Sequence, residues 1–201
     1  MRRPIVPYVI PWAGETISHP EPVITPAGIH YADPHQDQLH RDLDTLWEQC
    51  TGDPTGQPQY TAELHPARQK KAMEGLLCAG CKAPAARYMN GMTWVLPLYD
   101  DTPPDHWDGV HTTIPPMCKI CAKMAPQWCP RLREGHVELR VREAEHIGVR
   151  GTLYPRPGEP GVPDPDALVL FDSPDLPFVV ARHVVRELHR TTLIRFAAAA
   201  T

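Results

Sequence analysis

The last third of the chain alternates apolar and polar residues in the way that half-buried strands do. Val137 to Arg142 alternates strictly between the two classes, which places every second side chain on one face of a strand. Residues 149–154 and 168–171 are short apolar runs on either side of a loop rich in proline and glycine. We therefore expect short antiparallel strands in this region.

A helical spacing of apolar residues occurs twice along the chain. Between residues 61 and 77, Leu64, Ala72 and Leu76 fall on one helical face. From Phe178 to about Phe196, apolar residues recur every four positions, and a row of arginines does the same on another face. The sequence therefore predicts one helix in the middle of the chain and a second helix at its C-terminus.

The composition is that of a globular protein with an unusual number of prolines. Of the 201 residues, 42% are hydrophobic and 22% are charged, so a core can be buried. The 25 prolines favour short elements and extended loops over long helices. We expect an α+β chain in three segments that together form one compact domain. These are an extended proline-rich arm with a hairpin (1–60), a helix with a metal-binding core (61–130), and a small antiparallel sheet with the C-terminal helix (131–201).

Two C-x-x-C pairs are the sharpest chemical signal in the sequence. Cys78 and Cys81 form the first pair, Cys118 and Cys121 form the second, and residues 82–117 separate them. Each pair can place two thiolates on one tetrahedral ion, and two pairs complete the four-sulfur shell of a structural zinc site. The sequence therefore predicts one Zn2+ held by these four cysteines.

The residues around the pairs suit such a site. Gly80 gives the first pair the freedom of a tight knuckle, and the two prolines at 115–116 allow a helix to open at about Cys118. A helix opening there directs its backbone N–H groups at the thiolates. The Asn-Gly pair at 90–91 predicts a hairpin turn between the pairs. A knuckle, a hairpin and a helix in this order predict a treble-clef zinc finger flanked by short antiparallel strands.

Three further residues have the chemistry of metal ligands. His106 and His111 could replace a thiolate or serve a catalytic metal as neutral imidazoles. Cys129 follows the second pair closely, and we interpret it as a small buried hydrophobic residue. Since four cysteines already complete a shell, whether any of the three joins the site stays open.

The cysteine content leads to an expected compartment. Six cysteines fit either a disulfide framework or a metal site, and the redox compartment decides between them. The apolar run at residues 4–12 is short and holds three prolines, so we do not interpret it as a signal peptide. No stretch approaches the ~18 apolar residues of a membrane span. The expected setting is a reducing cytoplasm, where C-x-x-C pairs indicate metal.

The charge limits the kind of partner. A net charge of −4 and a pI near 6.2 argue against a surface devoted entirely to nucleic acid. A local basic patch is compatible with both values. Its candidates are Arg68, Lys70, Lys71, Arg182, Arg186 and Arg190. If these side chains converged on one surface, that surface would suit nucleic acid or an acidic protein.

Six short motifs spread along the chain carry a resemblance to a known family. They are an Arg-Arg-Pro-Ile-Val-Pro-Tyr arm, His-Pro-x-Arg-Gln before Leu-Cys-x-x-Cys, Pro-Pro-x-Cys-x-x-Cys-Ala, Cys-Pro and Val-Arg-Glu-Leu. Here they stand at residues 2–8, 65–69, 77–81, 115–122, 129–130 and 185–188. With them the chain resembles, over nearly its whole length, uncharacterised small zinc-finger-like proteins of actinobacteria of the Streptomyces type. The resemblance implies the extent of the domain and the metal site, and it brings no activity with it.

The two pairs at this separation also resemble the metal scaffold of treble-clef HNH endonucleases. In that family an Asp-His pair stands on the first strand after the knuckle, and an Asn often follows the last cysteine. This chain has Thr-Trp-Val-Leu at 93–96 and Ala122 after Cys121. The resemblance therefore implies a shared scaffold without the general-base histidine that activates water.

The sequence favours a zinc-binding protein in which the four-cysteine site stabilises the fold of a regulatory or interaction module. An alternative is a divergent HNH-like nuclease or a metal-dependent tailoring enzyme that uses His106 or His111 near the finger. A third interpretation is an accessory protein that docks through its proline-rich arm. The chain has no G-x-S-x-G motif, phosphate-binding loop or dinucleotide fingerprint. No catalytic residue is predicted, and enzymatic activity stays open.

Overall fold

The computed structural model of the chain describes residues 6–42, 44–85, 91–98 and 107–198. Within those residues the strands are β1 (Glu15–Ser18), β2 (Val23–Thr25), β3 (Gly28–His30), β4 (Arg41–Asp42), β5 (Thr45–Trp47), β6 (Gln49–Gly52), β7 (Met92–Pro97), β8 (Val110–Thr112), β9 (Gly135–Leu153), β10 (Asp164–Leu170) and β11 (Val179–Ala198). The helices are α1 (Pro34–His40), α2 (Pro66–Glu74), α3 (Lys119–Trp128) and α4 (Pro130–Arg133), with a 3-10 turn at Leu176–Phe178.

Two long antiparallel strands, β9 and β11, form the spine of a seven-stranded sheet. They pair along nearly their whole lengths, from Val179 opposite Leu153 to Ala198 opposite Gly135. The other edge of β9 pairs with β7 and then β10, while the other edge of β11 pairs with β5 and then β8. β4 continues the sheet beyond β5. The sheet therefore draws strands from all three segments of the sequence.

The predicted C-terminal helix is wrong, because residues 179–198 form the strand β11. A spacing of four is an even number, so positions i, i+4 and i+8 share one face of a strand as well as one face of a helix. Many residues of the segment are β-branched and favour a strand, among them Val179, Val180, Val184, Val185, Thr191, Thr192 and Ile194. Pairing with β9 along the whole segment satisfies its backbone groups and decides the structure.

The predicted strands are present but longer than expected. The runs at 137–142 and 149–154 belong to the single strand β9, apart from residue 154, and the run at 168–171 overlaps β10. Gly148 and Gly151 lie in β9 where strands approach closely: an added Cβ would stand 2.2 Å from the Val169 carbonyl oxygen at the first and 2.1 Å from the Val180 oxygen at the second. Both glycines therefore lie within β9, and the lack of a side chain leaves room for the close approach of β10 at Gly148 and of β11 at Gly151.

The helix before the first cysteine pair is confirmed, although it is shorter than predicted. α2 begins after His65, whose Nδ1 accepts the backbone N–H of Arg68 at 3.5 Å, and it ends at Gly75. The predicted hairpin turn at 90–91 falls partly outside the described residues. Gly91 leads directly into β7 with a φ of +106°, and an added Cβ would lie 2.2 Å from the Val141 carbonyl oxygen.

The fully buried side chain of Gln69 joins α2 to the sheet. Its Nε2 donates to the carbonyl oxygens of Thr113 at 2.6 Å and Val184 at 2.9 Å, and its Oε1 accepts the N–H of Val184 at 3.0 Å. Arg186, which is also buried, donates to the carbonyl oxygen of Met73 at the end of α2. Both polar side chains therefore hold the helix against β11, and the apolar core packs around them.

Candidate metal centre

The structure brings the four predicted cysteines together, since their sulfur atoms all lie within 4.8 Å of one another. The Sγ atoms of Cys81 and Cys118 are 3.9 Å apart. A tetrahedral zinc ion with Zn–S bonds of about 2.3 Å separates its sulfurs by about 3.8 Å. A disulfide would need about 2.05 Å, and all four cysteines are free. These four residues therefore form a possible metal site with the size of a four-sulfur tetrahedron.

The first pair sits on a tight backbone turn that leaves no room for a larger residue at position 80. The N–H of Cys78 donates to the Ala83 carbonyl oxygen at 2.7 Å, and the N–H of Lys82 donates back to the Cys78 oxygen at 2.9 Å. A Cβ on Gly80 would lie 2.7 Å from the Sγ of Cys121. Gly80 is therefore needed for space beside the second pair, and the left-handed residue of the turn is Lys82, with a φ of +64°.

The second pair opens α3, as predicted. Cys118 is the N-cap of the helix, and its Sγ accepts the backbone N–H of Cys121 at 3.5 Å. The N–H of Cys118 in turn donates to the Sγ of Cys78 at 3.2 Å. Backbone N–H groups aimed at sulfur stabilise the thiolate form that a metal requires.

Burial and mutual repulsion govern ionisation of the thiols when no metal is bound. Burial opposes the thiolate at Cys118, but the backbone N–H of Cys121 and contacts with the other thiols hold its pKa below the usual value. Burial, together with the charge of Cys78, raises the pKa of the Cys121 thiol. Burial also raises the pKa of the Cys81 thiol. The thiolate is thus favoured at Cys118 and disfavoured at Cys81 and Cys121, so a dication that binds all four sulfurs must displace protons.

The site lies where four parts of the chain meet. The N–H groups of Tyr8 and Val9, in the N-terminal arm, donate to the carbonyl oxygens of Gly80 at 3.0 Å and Ala79 at 3.2 Å. The N–H of Ala79 also donates to the carbonyl oxygen of Pro116. The next residue, Met117, forms an isolated antiparallel β-bridge with Thr93 of β7. The arm thus lies on the domain at the first knuckle. A metal bound here would tie the arm, the knuckle, β7 and α3 together.

The other candidate ligands lie elsewhere or outside the described residues. Cys129 caps α4 and lines a cavity of about 180 Å³, and the group of four cysteines does not include it. His111 lies on β8, where its Nε2 is 3.7 Å from a carboxylate oxygen of Glu187. His106 belongs to the segment 99–106, which lies outside the described residues.

Five of the six basic residues considered as a partner surface have partners within the chain. Arg68 binds the carboxylate of Glu15 and the Ile10 carbonyl oxygen, and Lys71 is exposed. The remaining contacts are Lys70 with Asp42, Arg182 with Glu48 and Glu63, Arg186 with the carbonyls of Met73 and Ala144, and Arg190 with Glu143. Most of these charges therefore act inside the fold.

A second group of ligand-type side chains was missed in the sequence. Glu187 and His189 are two residues apart, which puts them on different faces of a helix but on one face of a strand. Because residues 178–196 were expected to be helical, the two were not grouped with each other or with His111. The β-branched content of the segment was the signal that could have found them.

Comparison with protein-family models, curated proteins and solved structures finds no match for this chain. The resemblances to the actinobacterial proteins and to the HNH scaffold therefore stay predictions. Within the described residues, no helix has the length and apolar character required to cross a bilayer.

Proposed function

We propose that the protein is a zinc-stabilised interaction module whose closed structural site consists of Cys78, Cys81, Cys118 and Cys121. The observation that carries this proposal is the mutual approach of four free sulfurs to within 4.8 Å. Four protein sulfurs fill the tetrahedral shell of Zn2+ and leave no position for water, which is the property of a structural rather than a catalytic site. The order of knuckle, β7, β8 and α3 supports a treble-clef arrangement.

Metal content tests the site directly. Native mass spectrometry of the wild-type chain should show one zinc per chain, and a Cys78→Ser/Cys118→Ser variant should lose both the zinc and its ordered α3. The matched control is Cys50→Ser/Cys129→Ser, which removes two thiols outside the group of four and should keep the ion. Zinc that stays bound in the first variant with wild-type affinity would contradict the proposal.

The interaction half of the proposal rests on the outer surface of α3 and α4, which we name the α3–α4 face. Ile120 on α3 is 71% exposed. Three cationic side chains near it in the sequence, Lys119, Lys123 and Arg131, are also exposed. Residues 117–133 contain no Asp or Glu. Among the described residues, none of these three cations forms an ion pair.

A large exposed apolar side chain among unpaired cations suits an acidic protein that also offers an apolar contact. Nucleic acid would use the cations but not Ile120. We therefore infer that an acidic partner protein docks on the α3–α4 face, and the zinc site would hold α3 in place for it. Contact of nucleic acid or an acidic protein with the six residues named from the sequence stays a prediction.

Binding of an acidic peptide tests the α3–α4 face. A fluorescein-labelled peptide of Glu and Leu should bind the wild-type chain more weakly as salt rises, and Lys119→Glu/Lys123→Glu should abolish the binding. The control is Lys71→Glu, an exposed lysine on α2, which should leave the affinity unchanged. A short DNA duplex that binds in place of the peptide would favour the nucleic-acid interpretation. No binding of the peptide would contradict the acidic-protein interpretation.

One observation supports the enzymatic alternative, a divergent HNH-like nuclease or a metal-dependent tailoring enzyme. His111 faces a carboxylate, and it also lines a cavity of about 500 Å³ together with Trp107 and Arg150. The cysteine site would have no part in such chemistry, because its four ligands close the shell. The alternative therefore depends on whether His111 belongs to a second, open site.

A further inference from the structure

Three neighbouring strands present a row of ligand-type side chains on one face of the sheet. Glu187 of β11 stands directly opposite His111 of β8 on one side and directly opposite Glu145 of β9 on the other. His189 follows Glu187 by two residues on β11, so it shares the same face. The sheet pairing therefore fixes two imidazoles and two carboxylates side by side.

The reactive atoms of this group are already close. One carboxylate oxygen of Glu187 is 3.7 Å from the Nε2 of His111, and its other oxygen is 3.7 Å from the Nε2 of His189. The Nε2 of His189 is also 3.8 Å from a carboxylate oxygen of Glu145. Glu187 therefore lies between the two imidazoles, and His189 lies between the two carboxylates.

The charges of the group oppose one another in a way that a cation would relieve. Glu145 and Glu187 stand directly opposite on adjacent strands, an arrangement of like charges that destabilises a sheet. Arg190, which follows His189 on β11, binds Glu143. Asp108, on the approach to β8, adds further negative charge and accepts hydrogen bonds from Thr191. With neutral imidazoles, this part of the sheet has a net negative charge.

We propose that His111, Glu187 and His189, with Glu145 as a fourth group, bind a transition-metal dication of the zinc, nickel and cobalt class. Imidazole nitrogen combined with carboxylate oxygen is the ligand set of such ions, whereas Mg2+ and Ca2+ select oxygen alone. Metal–ligand bonds of about 2.0–2.2 Å place neighbouring ligand atoms about 3.0–3.5 Å apart. The observed separations of 3.7–3.8 Å are near this spacing, but the ligand atoms of the group do not all lie within 4.8 Å of one another. The side chains must therefore rotate toward a shared point to hold one ion.

The proposed site differs from the four-cysteine site in exposure and does not depend on it. The side chains of His111, Glu187 and His189 are 41%, 29% and 34% exposed. An ion held by them is in contact with solvent, keeps water ligands, and exchanges readily. Since His111 also lines the cavity of about 500 Å³, an open coordination position there would be accessible to a small ligand.

Nickel titration of the zinc-loaded chain tests the proposal. The full, tag-free chain would first take up one equivalent of Zn2+ and then be titrated with Ni2+ by calorimetry at about pH 7.5, where free imidazole is largely neutral. One further equivalent is expected. His111→Ala, His189→Ala and the isosteric Glu187→Gln should each weaken it by roughly tenfold or more. The control is His35→Ala, an exposed histidine on α1, which should bind Ni2+ like the wild type.

Paramagnetic broadening supplies a second readout. Bound Ni2+ should broaden the ring-proton signals of His111 and His189 selectively, and circular dichroism should show that the variants remain folded. The proposal is overturned if the zinc-loaded wild type takes up no Ni2+, or if the affinity survives in a His111→Ala/His189→Ala variant. It is also overturned if the substitutions only lower the melting temperature, because the group would then consist of cross-strand ion pairs alone.

Discussion

The region around the four cysteines and the ribbon formed by the paired strands β9 and β11 are stabilised by different interactions. Around the cysteines, four of the seven residues in the two clusters of buried apolar side chains that the structure describes are alanine: one cluster contains Val9, Ala72 and Ala79, and the other contains Val95, Ala122, Ala125 and Leu132. The ribbon instead contributes Val137, Leu139, Val141, Val149, Val179, Val184 and Leu188 to the two largest clusters. Alanine burial supplies little hydrophobic free energy, whereas each buried Val or Leu supplies about 1.5–3 kcal/mol.

The difference in buried apolar side chains indicates which region needs a metal for stability. The ribbon combines a long backbone ladder with a core of branched side chains, so it can hold its shape without a ligand. The cysteine region joins a knuckle, an arm and a helix that share only a few hydrogen bonds, so we expect it to depend on the proposed ion to connect them. We therefore expect changes at the two regions to have distinct consequences.

Removal of the metal should produce the largest effect and should separate the two regions. Structural zinc contributes about 10–16 kcal/mol of apparent binding free energy in small fingers, which is as large as the whole stability of a typical domain. Chelation should therefore expose the amides of residues 78–82 and 118–122, together with Tyr8 and Val9, while β9 and β11 stay protected. Hydrogen exchange followed by mass spectrometry measures this. Equal loss of protection in both regions would contradict the comparison.

Gln69→Leu should produce the next largest effect, on the side of the ribbon. The substitution leaves the N–H of Val184 and the carbonyl oxygens of Val184 and Thr113 without their side-chain partner. A buried unsatisfied group costs about 1–3 kcal/mol, so we expect a loss of roughly 3 kcal/mol in the free energy of unfolding in urea. Gln127→Leu, at an exposed position of α3, is the control and should change it by about 0.5 kcal/mol or less. Equal effects would remove the assigned role of Gln69.

Gly80→Ala should act on the cysteine region with a smaller effect. The new methyl group would meet the Sγ of Cys121 at 2.7 Å and its Cβ at 2.8 Å. Overpacking of this kind costs about 1–3 kcal/mol, and here it should also weaken zinc affinity, which a competition titration against a chromophoric chelator measures. Gly161→Ala is the matched control, because its Cβ would have only ordinary contacts, the nearest at 3.6 Å to Pro155. Unchanged zinc affinity in Gly80→Ala would show that the knuckle has more room than the structure gives it.

The smallest effect concerns His146 in the ribbon. Burial, with the charge of Arg186, lowers the pKa of His146 to about 4, against about 6.5 in an unfolded chain. The unfolded state therefore binds more protons between these values, so the contribution of His146 to stability is present above about pH 6.5 and is lost as the pH falls toward 4. His146→Gln should lose less stability than the wild type between pH 7 and pH 5.5, as measured by urea unfolding. His35→Gln should keep the wild-type slope, and a wild-type slope in His146→Gln would refute the assignment.

The cysteine region could be predicted from the sequence because its signals are local. The C-x-x-C spacing and the helix opening after Cys118 each depend on a few neighbouring residues, and the structure places them as expected. Gly80 differs, because it is needed for space beside Cys121 and not for the backbone freedom that was expected. The helix α2 was predictable for the same reason. The two cysteines of a C-x-x-C pair are three positions apart, so each has little choice of partner.

In the ribbon, the runs of β9 were predicted as strands, but β11 was predicted as a helix. The structure of β11 depends on pairing between distant residues. Val180, Val184 and Leu188 satisfy the period of a helix and, being separated by even numbers, that of a strand. The β-branched residues of the segment favour a strand, and the partner strand, with Leu188 opposite Ala144, decides between the two structures. The same pairing creates the row of His111, Glu187 and Glu145, so the second candidate site could not be recognised before the strand was.

X-ray absorption at the zinc edge of the purified chain tests the central claim most directly. For the chain loaded with one equivalent of zinc, the account predicts four sulfur neighbours at about 2.3 Å and no nitrogen or oxygen in the shell. The four sulfurs belong to the cysteines that lie within 4.8 Å of one another. A shell that mixes sulfur with nitrogen or oxygen would show that a histidine or water takes part in the site. A chain without zinc whose cysteines are joined as disulfides would contradict the account altogether.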